Sequence, residues 1–133
     1  MASRQIEDLH PDLQGKAKQF LFLCEQQIPD AEIIIVCTYR SDLEQAQLYA
    51  LGRTKPGNVV TRAKPGQSAH NATLDGRPAA RAFDFGVIVG GKYDAAGKHP
   101  AWEQAGQIAM NLGLNWYGRP GAPFREMPHC QLK

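Results

Sequence analysis

Two histidines and two acidic residues have the side-chain types and spacing that metal chemistry requires. His70 lies in a polar stretch, Asp84 follows it within an apolar run, and Glu126 and His129 form a Glu-x-x-His pair near the C-terminus. A catalytic zinc site takes three ligands from His, Asp, Glu or Cys and leaves a fourth position to water. His70, Asp84 and His129 would supply such a set, and Glu126 would be a base for the water.

The surroundings of Asp84 are the most informative of these features, because the residue lies between Phe83 and Phe85. A lone carboxylate is costly to bury, so it should be paired or bound to a metal. An ion pair with an arginine such as Arg40 or Arg81 explains the residue as well as a metal does. The sequence predicts a compensated buried carboxylate and leaves its partner open.

The other histidine-containing segments carry weaker signals. A Glu-x-x-His spacing occurs often by chance, so Glu126 and His129 alone are equally typical of an exposed glutamate and a solvated histidine. His10 and His99 each precede a proline. We interpret them as helix-start and turn residues outside any metal site.

Composition narrows the class of protein. The chain has 133 residues, of which 43% are hydrophobic and 21% charged, as in a single soluble domain. The net charge of +2 and the lack of a long basic block argue against nucleic-acid binding. Three cysteines without a CxxC pair indicate a reducing compartment. No apolar segment resembles a secretory signal or spans a membrane, so neither self-directed export nor stable membrane association is expected.

Apolar periodicity, capping residues and turn residues predict helices alternating with short strands. The predicted helices cover about 11–28, 41–51 and 100–112. The predicted strands cover 32–38, 81–89, 114–117 and 129–132. Between the second helix and the second strand, residues 52–68 form a long loop rich in glycine, proline and basic side chains.

The basic residues of this loop have two interpretations. They are Arg53, Lys55, Arg62 and Lys64. A solvated surface is the simpler interpretation, and contact with an anionic substrate is the functional one.

Together these motifs resemble one family. They are Ser-x-His at 68–70, Ala-x-Asp at 82–84, Glu-x-Pro-His at 126–129 and Tyr-Arg-Ser at 39–41. The pattern is similar to that of the D-alanyl-D-alanine carboxypeptidase-like zinc peptidases. Within them it is most similar to single-domain phage endolysins that are L-alanyl-D-glutamate endopeptidases. The likeness extends over about residues 33–132.

The resemblance implies a role for each residue of the constellation. His70, Asp84 and His129 would bind Zn²⁺, and Glu126 would be the general base. Arg40, permanently charged, would hold the substrate carbonyl and stabilise the oxyanion of a tetrahedral intermediate.

The resemblance also implies substrate-binding positions and a fold. Ser68 would be a hydrogen bonder beside the pocket, and Gln45 would contact the substrate or support the residues that do. The fold would be α+β, with helices packed on a short, mainly antiparallel sheet and the zinc site at its open face. Residues 1–133 would form one catalytic domain, monomeric and without a separate wall-binding domain.

Two departures from the family pattern qualify the ligand assignment. Thirteen residues lie between His70 and Asp84, more than in many relatives. The segment 72–81 is interpreted as an inserted excursion that turns at Asp75 and Gly76, which makes Asp75 a rival ligand. Cys130 follows His129 where an aromatic residue is common, so its thiol is a further conceivable ligand.

The expected function is that of a zinc-dependent endolysin that cleaves the L-alanyl-D-glutamate bond of the peptidoglycan stem peptide and lyses the bacterial host. Without a signal peptide, it would stay in the host cytoplasm and reach the periplasmic wall through a pore made by another protein. Lack of a wall-binding module favours a thin, Gram-negative wall. The alternatives are a D,D-carboxypeptidase or dipeptidase on the same zinc site, a non-catalytic zinc-containing wall-binding module, and a structural domain without metal.

Overall fold

The helices begin and end at the capping residues seen in the sequence. A computed structural model describes residues 2–133, and within it the helices are α1 (Pro11–Gln27), α2 (Asp42–Ala50) and α3 (Ala101–Asn111). Pro11 occupies the first turn of α1. Ser41 and Glu44 form a capping box at the start of α2, where the second helix was expected to begin. Gly113, with a φ of +86°, follows the end of α3.

The main sheet is antiparallel throughout and is built around one long strand. Its strands are β1 (Glu32–Cys37), β4 (Ala82–Val89), β5 (Lys92–Tyr93), β6 (Asn115–Trp116) and β7 (His129–Gln131). The order is β1-β4-β7-β6, and β5 pairs with the far end of β4. β4 therefore touches both β1, which precedes it, and β7, which comes from the other end of the chain. The predicted strands are confirmed to within a residue or two, and β5 lies outside the predicted ranges.

The inserted excursion is a small hairpin. It consists of β2 (Thr73–Leu74) and β3 (Arg77–Pro78). Asp75 and Gly76 connect these strands with φ values of 53° and 77°, which suits the tight turn that the sequence predicted. The backbone N–H of Ala80 donates to the carbonyl of Asp8, which ties the hairpin to the N-terminal segment.

Alternation along β4 explains why a carboxylate lies between two phenylalanines. Successive side chains of a strand point to opposite faces. The rings of Phe83 and Phe85 lie 5.2 and 5.4 Å from that of Phe20 on α1. Asp84 consequently projects from the other face.

The hydrophobic core lies between this face of the sheet and two helices. It includes Leu13, Ala17, Phe20 and Cys24 of α1 and Trp102, Ala105, Ile108 and Ala109 of α3. α2 lies outside this layer, beside the cleft described below. The predicted α+β fold is thus confirmed. Across residues 2–133, none of the helices is both long and apolar enough for a membrane span.

The contact between α3 and β6 gives a stability prediction. A Cβ on the buried Gly106 would lie 2.2 Å from Cδ2 of Trp116, whose indole N–H donates to the carbonyl of Met127. We expect Gly106→Ala to lower the free energy of unfolding by about 2 kcal/mol, because overpacking against a held ring costs more than the roughly 1 kcal/mol gained in helix propensity. Urea denaturation measures this change in the free energy of unfolding.

A matched control is Gly15→Ala on α1, where no atom lies within 4 Å. That variant should gain stability, and an equal gain in Gly106→Ala would contradict the packing.

Candidate active site

Strand register places Asp84 at the centre of the candidate site. On β4 it is paired with Cys37 of β1 on one side and with His129 of β7 on the other. The pairing of β1 with β4 is irregular between Ile35 and Cys37, and this irregularity changes the direction of the side chains at the end of β1. Directly opposed residues on neighbouring strands have Cβ atoms about 5 Å apart. Residues far apart in sequence therefore share one small region of the open face.

His70 joins them from a short 3-10 turn (Ala69–Asn71) that precedes the hairpin. Ser68 caps this turn, and its hydroxyl accepts from the His70 backbone N–H. The ring Nε2 of His70 lies 3.2 Å from Oδ1 of Asp84, and Nδ1 of His129 lies 3.2 Å from the same oxygen. The structure thus brings together the three residues that the sequence predicted as ligands.

The opposite nitrogen of each imidazole is already engaged. Nδ1 of His70 lies 2.7 Å from the carbonyl oxygen of Thr38, which only accepts, so Nδ1 carries a proton. Nε2 of His129 lies 2.8 Å from Oε1 of Gln131 and donates to it. In the neutral forms, both remaining lone pairs therefore face Asp84. Such an arrangement needs a cation between the rings and the carboxylate, either a proton or a metal ion.

Electrostatics in the metal-free site follow from this geometry. Burial disfavours the imidazolium of His70, but the Asp84 carboxylate outweighs it and raises the pKa of His70 to about 10. Burial also works against ionisation of Asp84, yet His70 and His129 hold the pKa of that carboxyl far below its usual value. When no metal is present, a proton on His70, shared with Asp84, is therefore the cation between the ring and the carboxylate.

Arg40 lies at the edge of the same cluster. Its Nη2 is 3.9 Å from Oδ2 of Asp84, and its Nη1 donates to Oε1 of Gln45 at 2.9 Å. Its carbonyl accepts from Nδ2 of Asn71 at 2.8 Å. Both explanations offered for Asp84 are therefore present, since the carboxylate touches an arginine as well as two histidines. The other proposed arginine, Arg81, is exposed.

Ser68 and Gln45 occupy different positions. Ser68 lines the cleft over the site. Gln45 is fully buried behind Arg40, and its Nε2 donates to the carbonyl of Ala63 at 2.8 Å. Two roles were expected for Gln45, substrate contact or support of other residues. Its burial and its hydrogen bonds match the second, because it supports Arg40 and the neighbouring loop.

Glu126 lines the same cleft as Arg40, on the segment that leads into β7. Its backbone N–H donates to the carbonyl of Tyr117, but among residues 2–133 no group donates a hydrogen bond to its carboxylate. Burial raises the pKa of Glu126, and the negative charge of Asp84 adds to the shift, against an opposing effect of His129. A half-buried carboxylate with a raised pKa and free oxygens is suited to proton transfer.

The cleft has a volume of about 410 Å³. Its floor contains the histidines and Asp84, and one wall comes from the long loop that precedes His70. The other wall contains Tyr117, whose ring centroid lies 4.6 Å from that of His129, and Phe124. Neither aromatic residue was predicted from the sequence, because no motif distinguishes them from core residues.

Cys37 is a further site residue that sequence reasoning missed. One ligand atom from each of Cys37, His70 and Asp84 lies within 4.8 Å of the others, close enough to hold one metal ion. The Cys37 Sγ is 3.7 Å from Nδ1 of His70 and 3.7 Å from Nη2 of Arg40. It therefore approaches the His70 ring from the Thr38 side rather than from the Asp84 side.

The other anticipated rivals lie elsewhere. Cys130 is fully buried and pairs with Phe83 and Trp116 in the sheet, so its thiol belongs to the core layer. Asp75 is exposed at the tip of the hairpin. The two remaining histidines act at helix starts, since Nδ1 of His10 accepts from the N–H of Asp12 and Nδ1 of His99 from that of Ala101.

The donor set fits a divalent transition metal. Two imidazole nitrogens with oriented tautomers and one carboxylate are borderline donors of the kind that bind zinc. Arg40 and Glu126 line the same cleft but are not members of this donor set. The arrangement is chemically suited to hydrolysis at a metal.

The chain is similar to known proteins in both sequence and fold. No family model matches the chain. The chain is 34% identical over 127 residues to the peptidoglycan L-alanyl-D-glutamate endopeptidase CwlK of Bacillus subtilis (strain 168). The aligned region covers 94% of this chain and 74% of that protein. The fold of the chain is similar to that of the Serratia marcescens L-Ala D-Glu endopeptidase ChiX, with a TM-score of 0.63 and 17% identity over 100% of this chain and 89% of that one. The structural likeness supports the fold, and the sequence identity supports the relationship. The chain therefore belongs to the peptidoglycan L-alanyl-D-glutamate endopeptidase family of enzymes, as its motifs predicted.

Proposed function

We propose that this protein is a zinc-dependent peptidoglycan endopeptidase that cleaves the L-alanyl-D-glutamate bond of the stem peptide. The observation that carries the proposal is the convergence of His70 and His129 on one oxygen of Asp84, at 3.2 Å each, with Glu126 in the same cleft. The activity named for CwlK, a relative of 34% identity, supports the choice of bond.

His70, Asp84 and His129 would hold the zinc ion. His70 would bind through Nε2 and His129 through Nδ1, because their other nitrogens donate to Thr38 and Gln131. When bound there, zinc supplies Lewis acidity and acidifies water. The contacts behind the rings keep both tautomers in the form that metal binding requires.

Glu126 is the general base of the proposed reaction. Its carboxylate lies half-buried in the cleft and receives no hydrogen bond from residues 2–133, so its oxygens are available to accept and return a proton. The carboxylate takes a proton from water as the water oxygen adds to the amide carbonyl. It then gives that proton to the departing amine nitrogen, so hydrolysis yields one new carboxylate and one new amine.

Arg40 stabilises the oxyanion that forms on the carbonyl oxygen. The guanidinium is a planar cation, and the hydrogen bond of 2.9 Å that it donates to the buried Gln45 fixes its position. A charge that is already oriented needs little reorganisation as the transition state forms. Ser68, on the cleft wall, is a hydrogen-bonding position for the peptide.

The test is product analysis on purified sacculi. Zinc-reconstituted protein is incubated with peptidoglycan, and mass spectrometry identifies the fragments and their new N-termini. The proposal expects stem fragments that begin with D-glutamate. Release of D-alanine would indicate a carboxypeptidase on the same site, and no release of any peptide by folded, zinc-loaded protein would contradict the enzymatic function.

The setting of this activity is also part of the proposal. We infer a phage endolysin that is made in the host cytoplasm and reaches the periplasmic wall through a pore made by another protein, to lyse the host. Protein made alone inside Gram-negative cells should then leave them intact until the cytoplasmic membrane is permeabilised. Lysis without permeabilisation of that membrane would argue against the need for a separate pore.

A further inference from the structure

The four basic residues of the long loop occupy different environments. Arg53 donates to the carbonyls of Tyr49 and Thr61 at 2.7 and 3.0 Å, and its guanidinium stacks on the Tyr49 ring at 3.8 Å. It therefore holds the loop together. Lys55 and Lys64 are exposed and outside the cleft, and only Arg62 lines it.

The residues on both sides of Arg62 are held by the residue that holds Arg40. The buried Gln45 amide donates to the carbonyl of Ala63 at 2.8 Å and to the hydroxyl of Thr61 at 3.3 Å. Its carbonyl oxygen accepts from Arg40. Arg40 and the two residues that flank Arg62 thus share one buried support.

The Arg62 side chain spans the cleft to the opposite wall. Its guanidinium carbon lies 4.6 Å from the centroid of the Phe124 ring, two residues before Glu126. Within the described chain, no carboxylate forms an ion pair with it. Stacking occupies the face of the guanidinium and leaves its edge N–H groups available to a planar anion.

We propose that Arg62 binds the free carboxylate of the D-glutamyl residue on the amine side of the scissile bond. This inference rests on the proposed function. A D-glutamyl residue acylated on its nitrogen by L-alanine has two carboxyl groups, and a linear peptide continues through one of them. The other is a carboxylate close to the reacting amide. Arg62 is a specificity-determining residue that distinguishes this carboxylate from its amide.

The test compares two synthetic substrates, an N-acylated L-alanyl-γ-D-glutamyl-L-lysine and the same peptide with the D-glutamyl α-carboxylate amidated. Wild type is expected to cleave the carboxylate form with kcat/KM about tenfold or more above that of the amide form, since a hydrogen-bonded charge pair is lost on amidation. Arg62→Gln should lose this preference by losing activity on the carboxylate form alone. Lys64→Gln, on the same loop but outside the cleft, should keep the wild-type preference.

The possible results distinguish a failure of the Arg62 assignment from a failure of the proposed peptidase function. Equal cleavage of both peptides by wild type, or an equal loss on both in Arg62→Gln, would overturn the role of Arg62 and leave the peptidase standing. Failure of zinc-loaded wild type on both peptides would overturn the proposed function and the Arg62 assignment with it. Circular dichroism of each variant establishes that it is folded before rates are compared.

Discussion

Glu126→Gln should lower kcat by about a hundredfold or more while the protein keeps its fold and its zinc. Glutamine has nearly the same shape but does not accept a proton at neutral pH. The Glu126 side chain receives no hydrogen bond from residues 2–133, so the fold does not depend on its charge. Rates on a defined muropeptide, measured at equal zinc content, give the result.

The pH profile adds a second readout for this variant. As a base, Glu126 must be ionised, so kcat/KM should fall on the acidic side as this carboxylate takes up a proton. This acidic limb should disappear in Glu126→Gln. The matched control is Glu103→Gln on the exposed face of α3, which should match wild type. A Glu126→Gln variant with wild-type kcat would show that another group moves the proton.

Asp84→Asn should lower zinc affinity by more than a hundredfold and abolish activity. Loss of an outer-shell partner typically costs about 10–100-fold in metal affinity, and removal of a charged ligand costs more. Asp84 also lies at the meeting point of the two histidines and Arg40, so the change removes the anion that organises all three. Calorimetric titration with zinc measures the affinity.

The same titration reports the proton held by His70. In the metal-free protein the pKa of His70 is about 10, so at pH 7 the ring carries a proton that zinc must displace. Zinc binding by wild type should therefore release about one proton, and its affinity should rise about tenfold per pH unit between pH 7 and 10. Asp84→Asn removes the charge that raises this pKa, so proton release should fall. Asp75→Asn, at the hairpin tip, should behave as wild type, and loss of zinc there instead would identify Asp75 as the ligand.

The elements of the fold were predictable because their signals are local. The stripe of α1, the capping box at Ser41 and the β-branched run of β1 each depend on neighbouring residues. The position of Asp84 between Phe83 and Phe85 also indicated a buried carboxylate with a compensating partner. The excursion became a hairpin at the predicted Asp-Gly turn.

The arrangement around the site was only partly predictable. Motif resemblance identified His70, Asp84 and His129 as a group, but periodicity does not reveal that β7 pairs with β4 rather than with β1. Cys37 was missed because its approach to His70 depends on an irregular register, which is a tertiary property. The support that Gln45 gives to Arg40 likewise depends on how α2 meets the loop.

Zinc-edge anomalous diffraction from crystals of the reconstituted protein tests the central claim most directly. We expect one peak about 2.0–2.2 Å from Nε2 of His70, the Asp84 carboxylate and Nδ1 of His129, with Glu126 nearby and unbound. A peak bound by the Cys37 sulfur at about 2.3 Å in place of His129 would contradict the assigned ligand set. An active protein with no peak at these residues would contradict the zinc site itself.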